Sequence, residues 1–297
     1  MIHTGILRYA KARFLWWAVG LTVLSVLLYS TQGGLQPANG GTWQGYVLGT
    51  IGALLIVWLS MLGIRKRSYS STVGSVPGWT SAHVYLGTAL LVVATLHSAG
   101  QLGWNVHSLS YVLMFVVIIS GFYGIYTYVN YPQAITENRS GSSRAALFAE
   151  LFELDRRGRE LAAKGPDDIN IVVRSAIERT AIGGGIYAQL LGTDRSLFVR
   201  PSGSGDSAGG KPVSNRDQQP VIDLIAGRLP RTSKVAETEL LEELLEIFCR
   251  RQAVLRRIAR DIRLRGRIRF WLLIHIPLTV ALIFALIVHI VTTFIYW

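Results

Sequence analysis

The 297-residue chain is half hydrophobic and has a positive mean hydropathy of +0.35, which excludes an ordinary soluble domain and makes a membrane protein the first reading. Its formal net charge of +12 raises the question of nucleic acid, but the excess is largely arginine beside apolar segments, where it suits membrane topology and anionic lipid headgroups. The single cysteine, Cys249, excludes a disulfide framework, a CxxCH haem attachment and a cysteine-ligated iron–sulfur cluster.

The first apolar stretch, residues 14–30, follows Arg8, Lys11 and Arg13 as a signal peptide would. It is too long for a typical signal core, and the following GGLQPANGG lacks a convincing small-x-small cleavage site, so a retained span is expected. Residues 43–64, 82–100 and 109–130 are also long enough to cross about 30 Å of hydrocarbon at about 1.5 Å per residue, and a last span covers 270–295.

Basic residues collect at the N-terminus, in Arg65-Lys66-Arg67 and throughout 131–269, whereas 31–42 and 100–108 carry no Lys, Arg, Asp or Glu. This asymmetry predicts an inner-membrane protein with its N-terminus and long insertion in the cytoplasm and its C-terminus outside. The expected fold class is an all-α membrane bundle of five transmembrane helices with a cytoplasmic, partly helical insertion between the fourth and fifth spans. The regions are then 1–130, 131–268 and 269–297.

Four of the six histidines form two pairs of equal spacing, His83 with His97 and His275 with His289. Fourteen residues make almost four helical turns, so each pair shares one helix face with about 21 Å between its members. Such a separation is too large for one metal ion and suits two sites stacked across a membrane. By the charge asymmetry the third and fifth spans run the same way, which levels His83 with His275 on the inner side and His97 with His289 on the outer side.

Two facing imidazoles can hold a haem iron axially between apolar helices. The plainer reading, histidines hydrogen-bonding across helices, is common in membrane bundles, but two matched pairs on parallel spans favour haem. Zinc wants clustered ligands, and a proton or cation transporter wants intramembrane carboxylates; these spans carry no Asp, Glu or Cys.

The two segments, HVYLGTALLVVATLH and HIPLTVALIFALIVH, resemble the ligand helices of bis-histidyl di-haem membrane cytochromes b, such as cytochrome b of the bc complexes and the transmembrane part of ferric reductases and NADPH oxidases. The resemblance covers the spans, a little over a third of the chain. It implies two haem b groups, an inner one on His83 and His275 and an outer one on His97 and His289. The chain departs from both families: no flavin or nicotinamide module follows the last span, and the Pro-Glu-Trp pattern of a bc quinol site is missing.

Small residues on the second span (Gly45, Gly49, Gly52) and the fourth (Ser120, Gly121, Gly124) make room for a macrocycle or for plain helix packing; Gly52 and Gly121 are the candidate cofactor contacts. Arg65, Lys66, Arg67, Arg267 and Arg269 could pair with propionates of the inner haem, although topology also explains them. Pro277 is expected to loosen the fifth span next to His275. His107, in the loop GQLGWNVHS beside Trp104, reads as an interfacial residue or a proton acceptor at an outer quinol site, and His3 carries no role.

In the insertion, 144–163 and 236–265 show amphipathic helical spacing, with Leu147, Leu151 and Leu154 on the first and Leu241, Leu244, Phe248, Leu255, Ile258 and Ile262 on the second. They are expected to pack antiparallel, with Gly266 as a bend. Between them INIVV and SLFVR read as strands, 174–182 as a helix and PSGSGDSAGGKPVSNRDQQP as a flexible loop. The triple glycine Gly183–Gly185 lacks the flanking residues of a phosphate loop.

These features point to transmembrane electron transfer, with the chain as the membrane subunit of a larger oxidoreductase. Its partners would be membrane lipid, a redox protein of iron–sulfur, flavoprotein or cytochrome c type, and a quinone. A stand-alone transmembrane ferric reductase and a non-redox membrane scaffold or sensor are the alternatives.

Overall fold

A computed structural model describes residues 4–32, 39–68, 73–201, 210–231 and 234–295. His3, residues 33–38 of GGLQPANGG and residues 202–209 of the glycine-rich loop lie outside these. Five helical segments are long and apolar enough to cross a membrane, and an insertion with helices and a hairpin separates the fourth from the fifth. The chain divides into two compact units, Met1–Asn130 with Trp271–Trp297, and Tyr131–Phe270.

In the first unit, a short helix α1 (Thr4–Leu7) precedes α2 (Arg13–Ser30), α3 (Trp43–Ser60), α4 (Leu62–Arg67), α5 (Val76–Ser98) and the part of α6 (Val106–Arg139) up to Asn130, while the last span belongs to α11 (Val235–Ile295). Thr42 caps α3 by accepting from the Gly45 amide at 3.1 Å. The third span begins at Val76, six residues before the hydropathy pattern suggests. Ser75 accepts from the Gly78 amide at 3.2 Å and Pro77 occupies the first turn, so the start is set by cap chemistry, which apolar content does not register. The same helix ends where Ala99 and Gly100 both turn to positive φ.

Buried Ile56, Leu59, Leu90, Met114, Leu282 and Leu286 join α3, α5, α6 and α11 in one apolar cluster. Trp16, Trp17, Leu24, Leu54 and Phe284 instead stand well exposed around the bundle, as side chains facing lipid must. Gly124 is needed for close approach: a Cβ there would lie 2.1 Å from the Trp271 ring, whose Nε1 donates to the Ser120 carbonyl at 2.8 Å. Gly124→Ala is therefore expected to displace the indole and cost about 1–3 kcal/mol, read as a lower thermal midpoint and a shifted tryptophan emission.

The second unit contains α7 (Arg144–Ala162), α8 (Asp167–Glu178), α9 (Ile186–Leu191), β1 (Leu197–Arg200), β2 (Lys211–Ser214), α10 (Gln219–Ala226) and the N-terminal part of α11. Leu147 and Leu154 of α7 meet Leu241, Leu244, Phe248 and Ile258 of α11 in its core, so the two amphipathic helices do pack together. INIVV is helix, a correction to the strand reading. Ile169, Val172, Val173, Ala176 and Ile177 recur at three- and four-residue spacing and are all buried, and Asp167 and Asp168 charge the first turn favourably. That helix stops at Glu178, short of the expected 182.

SLFVR does form β1, which pairs antiparallel with β2 from Leu197 opposite Ser214 to Arg200 opposite Lys211. β2 and the first turn of α10 occupy the end of the segment expected to be loop. A partner strand specifies β2, a cause that composition alone hides. At Gly266 the helix α11 runs on without interruption, and a Cβ would lie 3.0 Å from that of Gln189, so packing against α9 accounts for the glycine. On the surface of α7, hydrogen bonds from Arg156 and Arg157 hold the Glu153 carboxyl down to about 2. This exposed network therefore stays charged above that pH and is lost only as pH falls through it.

Candidate functional site

The second, third, fourth and fifth spans line an open cavity of about 790 Å³, within the usual range for cofactor and ligand sites. Leu48, Ile56, Leu90, Met114, Leu282 and Leu286 make its apolar walls, and His97, His107 and His289 line it as well. The His97 and His289 ring centres are 6.1 Å apart with their planes nearly perpendicular. Two imidazoles that each placed a nitrogen about 2.0–2.1 Å from one metal ion would have ring centres roughly 6 Å apart.

Glycines on α3 shape this end of the cavity. The Gly45 carbonyl takes a hydrogen bond from His97 Nδ1 at 2.8 Å. One turn later a Cβ on Gly49 would lie 2.7 Å from His97 Cε1 and 3.2 Å from Nε2. The imidazole thus lies close against helix backbone, which only a side-chain-free position permits. Gly52 lines the same cavity, and a Cβ there would make ordinary contacts with Leu90 and Val93 at 3.8 and 4.0 Å.

The other two paired histidines stand on the same helices one helical length away. His83 Nδ1 bonds the Leu59 carbonyl at 3.0 Å, in the last turn of α3, where carbonyls run out of helical partners. His275 Nδ1 bonds Ser120 Oγ at 2.6 Å, its ring lies 5.2 Å from that of Trp271, and a Cβ on Gly121 would be 3.9 Å from its Cε1. Among the described residues His83 and His275 make no ring contact with each other, and neither lines this cavity. α11 continues through Pro277, and Thr279 Oγ1 donates to the His275 carbonyl at 2.8 Å.

Two of these bonds fix where the ring proton is. A carbonyl only accepts, so His83 and His97 must carry their proton on Nδ1. Ser120 Oγ also bonds the Val117 carbonyl at 2.8 Å, and with its hydrogen given there it accepts from His275 Nδ1. His289 engages the same atom: its Nδ1 is 2.5 Å from Nδ1 of His107. All four paired histidines therefore use Nδ1 for support, and none has a partner at Nε2 among the described residues. Nδ1–H given to a protein acceptor with Nε2 left bare is the arrangement of a metal-ligating imidazole, which is oriented through its other nitrogen.

His107 was expected in a loop; it lies in the first turn of α6 and belongs to the histidine cluster. Among the basic residues, Arg65 is occupied by the carbonyls of Ser68, Val73 and Gly74, and the Lys66 ammonium sits 5.4 Å from the centre of the Tyr128 ring. Arg67 is exposed at the end of α4, while Arg267 and Arg269 belong to the second unit. Among the described residues no group of three or more His, Cys, Asp or Glu is placed to hold a metal ion, so the donor set available is two imidazoles at a time.

Fold and site together define an α-helical protein with five membrane-spanning helices, the third and fifth of which carry four histidines that each bond through Nδ1. Comparison with protein-family models, with curated proteins and with solved structures finds no match for this chain.

Proposed function

We propose that this protein is a di-haem cytochrome b that carries electrons across the inner membrane as part of a larger oxidoreductase. His83 and His275 would hold one haem and His97 and His289 the other. The observation that carries this reading is that all four histidines make their hydrogen bond through Nδ1 and, among the described residues, none through Nε2. A haem held in this way supplies reversible one-electron transfer at a potential set by its ligands and its burial.

The protein's own contribution is orientation and exclusion of water. Gly45, Leu59 and Ser120 hold three imidazoles by hydrogen bonds, Gly49 lets the His97 ring pass, and leucines and Met114 give the cavity beside His97 and His289 apolar walls. Gly121 stands beside the His275 ring. By the positive-inside asymmetry, His83 and His275 would serve the cytoplasmic side, where Arg67 would supply positive charge for propionates. Donor and acceptor would be a redox protein and a quinone, with the insertion as the docking region.

A reduced-minus-oxidised visible spectrum of the detergent-purified protein, with haem quantified as the pyridine haemochrome, tests this. About two b-type haems per chain are expected; a featureless spectrum from folded protein would overturn the reading in favour of a scaffold. Gly49→Val should remove one haem equivalent by pushing the His97 ring off the Gly45 carbonyl, whereas Gly52→Ala, whose new methyl makes only ordinary contacts, should keep both.

A further inference from the structure

Three of the four paired histidines bond an oxygen through Nδ1, while His289 faces a nitrogen. His107 Nδ1 stands 2.5 Å from His289 Nδ1, with ring centres 4.5 Å apart and planes at 85°. One proton is shared between these two atoms. A His289 that keeps Nε2 bare must own that proton, which makes His107 Nδ1 the acceptor and leaves the His107 proton on Nε2.

An imidazole nitrogen is a stronger base than an amide carbonyl or a hydroxyl oxygen. It draws harder on the Nδ1–H it accepts and raises electron density at the opposite nitrogen of His289. His107 stands in the first turn of α6 and lines the same cavity as His97 and His289, so the contact ties the start of one span to the far end of another.

We infer that His107 is a positioning residue for His289: it orients that ring and lowers the reduction potential of the His97–His289 site by making His289 the more electron-donating ligand. This inference rests on the di-haem reading and adds a built-in asymmetry between the two haems.

Redox titrations of the purified full-length wild type, His107→Leu and His107→Asn test it. Leu removes the acceptor, whereas Asn places a carbonyl oxygen near the position of Nδ1. The expected result is a wild type with two components, a Leu variant in which one component moves to higher potential while the other stays, and an Asn variant that moves less. If His107→Leu loses one haem altogether, retention of both haems by His107→Asn supports the positioning role, and loss in both variants overturns it, because space-filling alone would then be at work. Unchanged potentials and haem content in His107→Leu would likewise overturn it while leaving the di-haem reading intact. A wild type without a Soret band removes both together.

Discussion

His97→Ala and His289→Ala should each leave one haem per chain, and the double variant should also leave one. A haem held by two axial imidazoles is lost when either goes, so the second substitution within a pair has nothing further to remove. This is the strong non-additivity expected of residues acting as a unit. Across pairs the losses should add: His83→Ala with His97→Ala should leave none.

The same set of variants decides the partnering. His83→Ala with His275→Ala should keep one haem, and His83→Ala with His289→Ala should keep none; the reverse result would mean that the members are exchanged between levels. Haem per chain, measured beside gel filtration and circular dichroism, is the readout. A single variant that retains both haems would remove that histidine from the ligand set. Because a tightly held cofactor stabilises the state that binds it, by about 2.7 kcal/mol at a hundredfold excess over Kd, single-haem variants should also melt earlier.

Much of this architecture is written in the sequence because a membrane imposes simple requirements. Five apolar stretches of the right length can be read directly, and the fourteen-residue histidine spacing survives translation into helix faces. What holds the histidines is less legible. The acceptors for His83 and His97 are main-chain carbonyls of Leu59 and Gly45, and every residue carries a carbonyl, so no residue type betrays them.

Gly49 announces closeness without naming the neighbour; only the packed helices identify it as the His97 ring. His107 looked like a loop residue because its helix starts inside a polar stretch, at Val106, ahead of the apolar run that marks the span. The INIVV segment reads as a strand by β-branched content and as a helix by spacing; with a helical surface to pack on, spacing wins over propensity.

Arg251→Ala should destabilise the insertion by about 3–5 kcal/mol, the range for removing one partner of a buried charge pair. Arg251 is 1% exposed, sits on α11 and reaches three separate pieces of chain. Its Nε donates to Asp155 on α7 at 2.6 Å, and its two terminal nitrogens donate to Gln218 Oε1 at 2.5 Å and Thr180 Oγ1 at 2.7 Å. Its guanidinium carbon also lies 5.7 Å from the centre of the Phe248 ring.

Truncation leaves Asp155, only 19% exposed, without its counter-charge, and strips Gln218 and Thr180 of a donor in a dry core. Lysine is a poor substitute, since one ammonium cannot reproduce a planar fork aimed at three acceptors, so Arg251→Lys should recover only part of the loss. Joint replacement by Arg251→Met and Asp155→Leu removes both charges and should be far milder than Arg251→Ala alone, because the principal cost lies in the abandoned carboxylate. Urea unfolding of the full chain in detergent, followed by near-ultraviolet circular dichroism, reads all three. An Arg251→Ala protein that unfolds with the wild type would mean that the guanidinium is replaceable by water at that position, and that the insertion core rests on its apolar contacts alone.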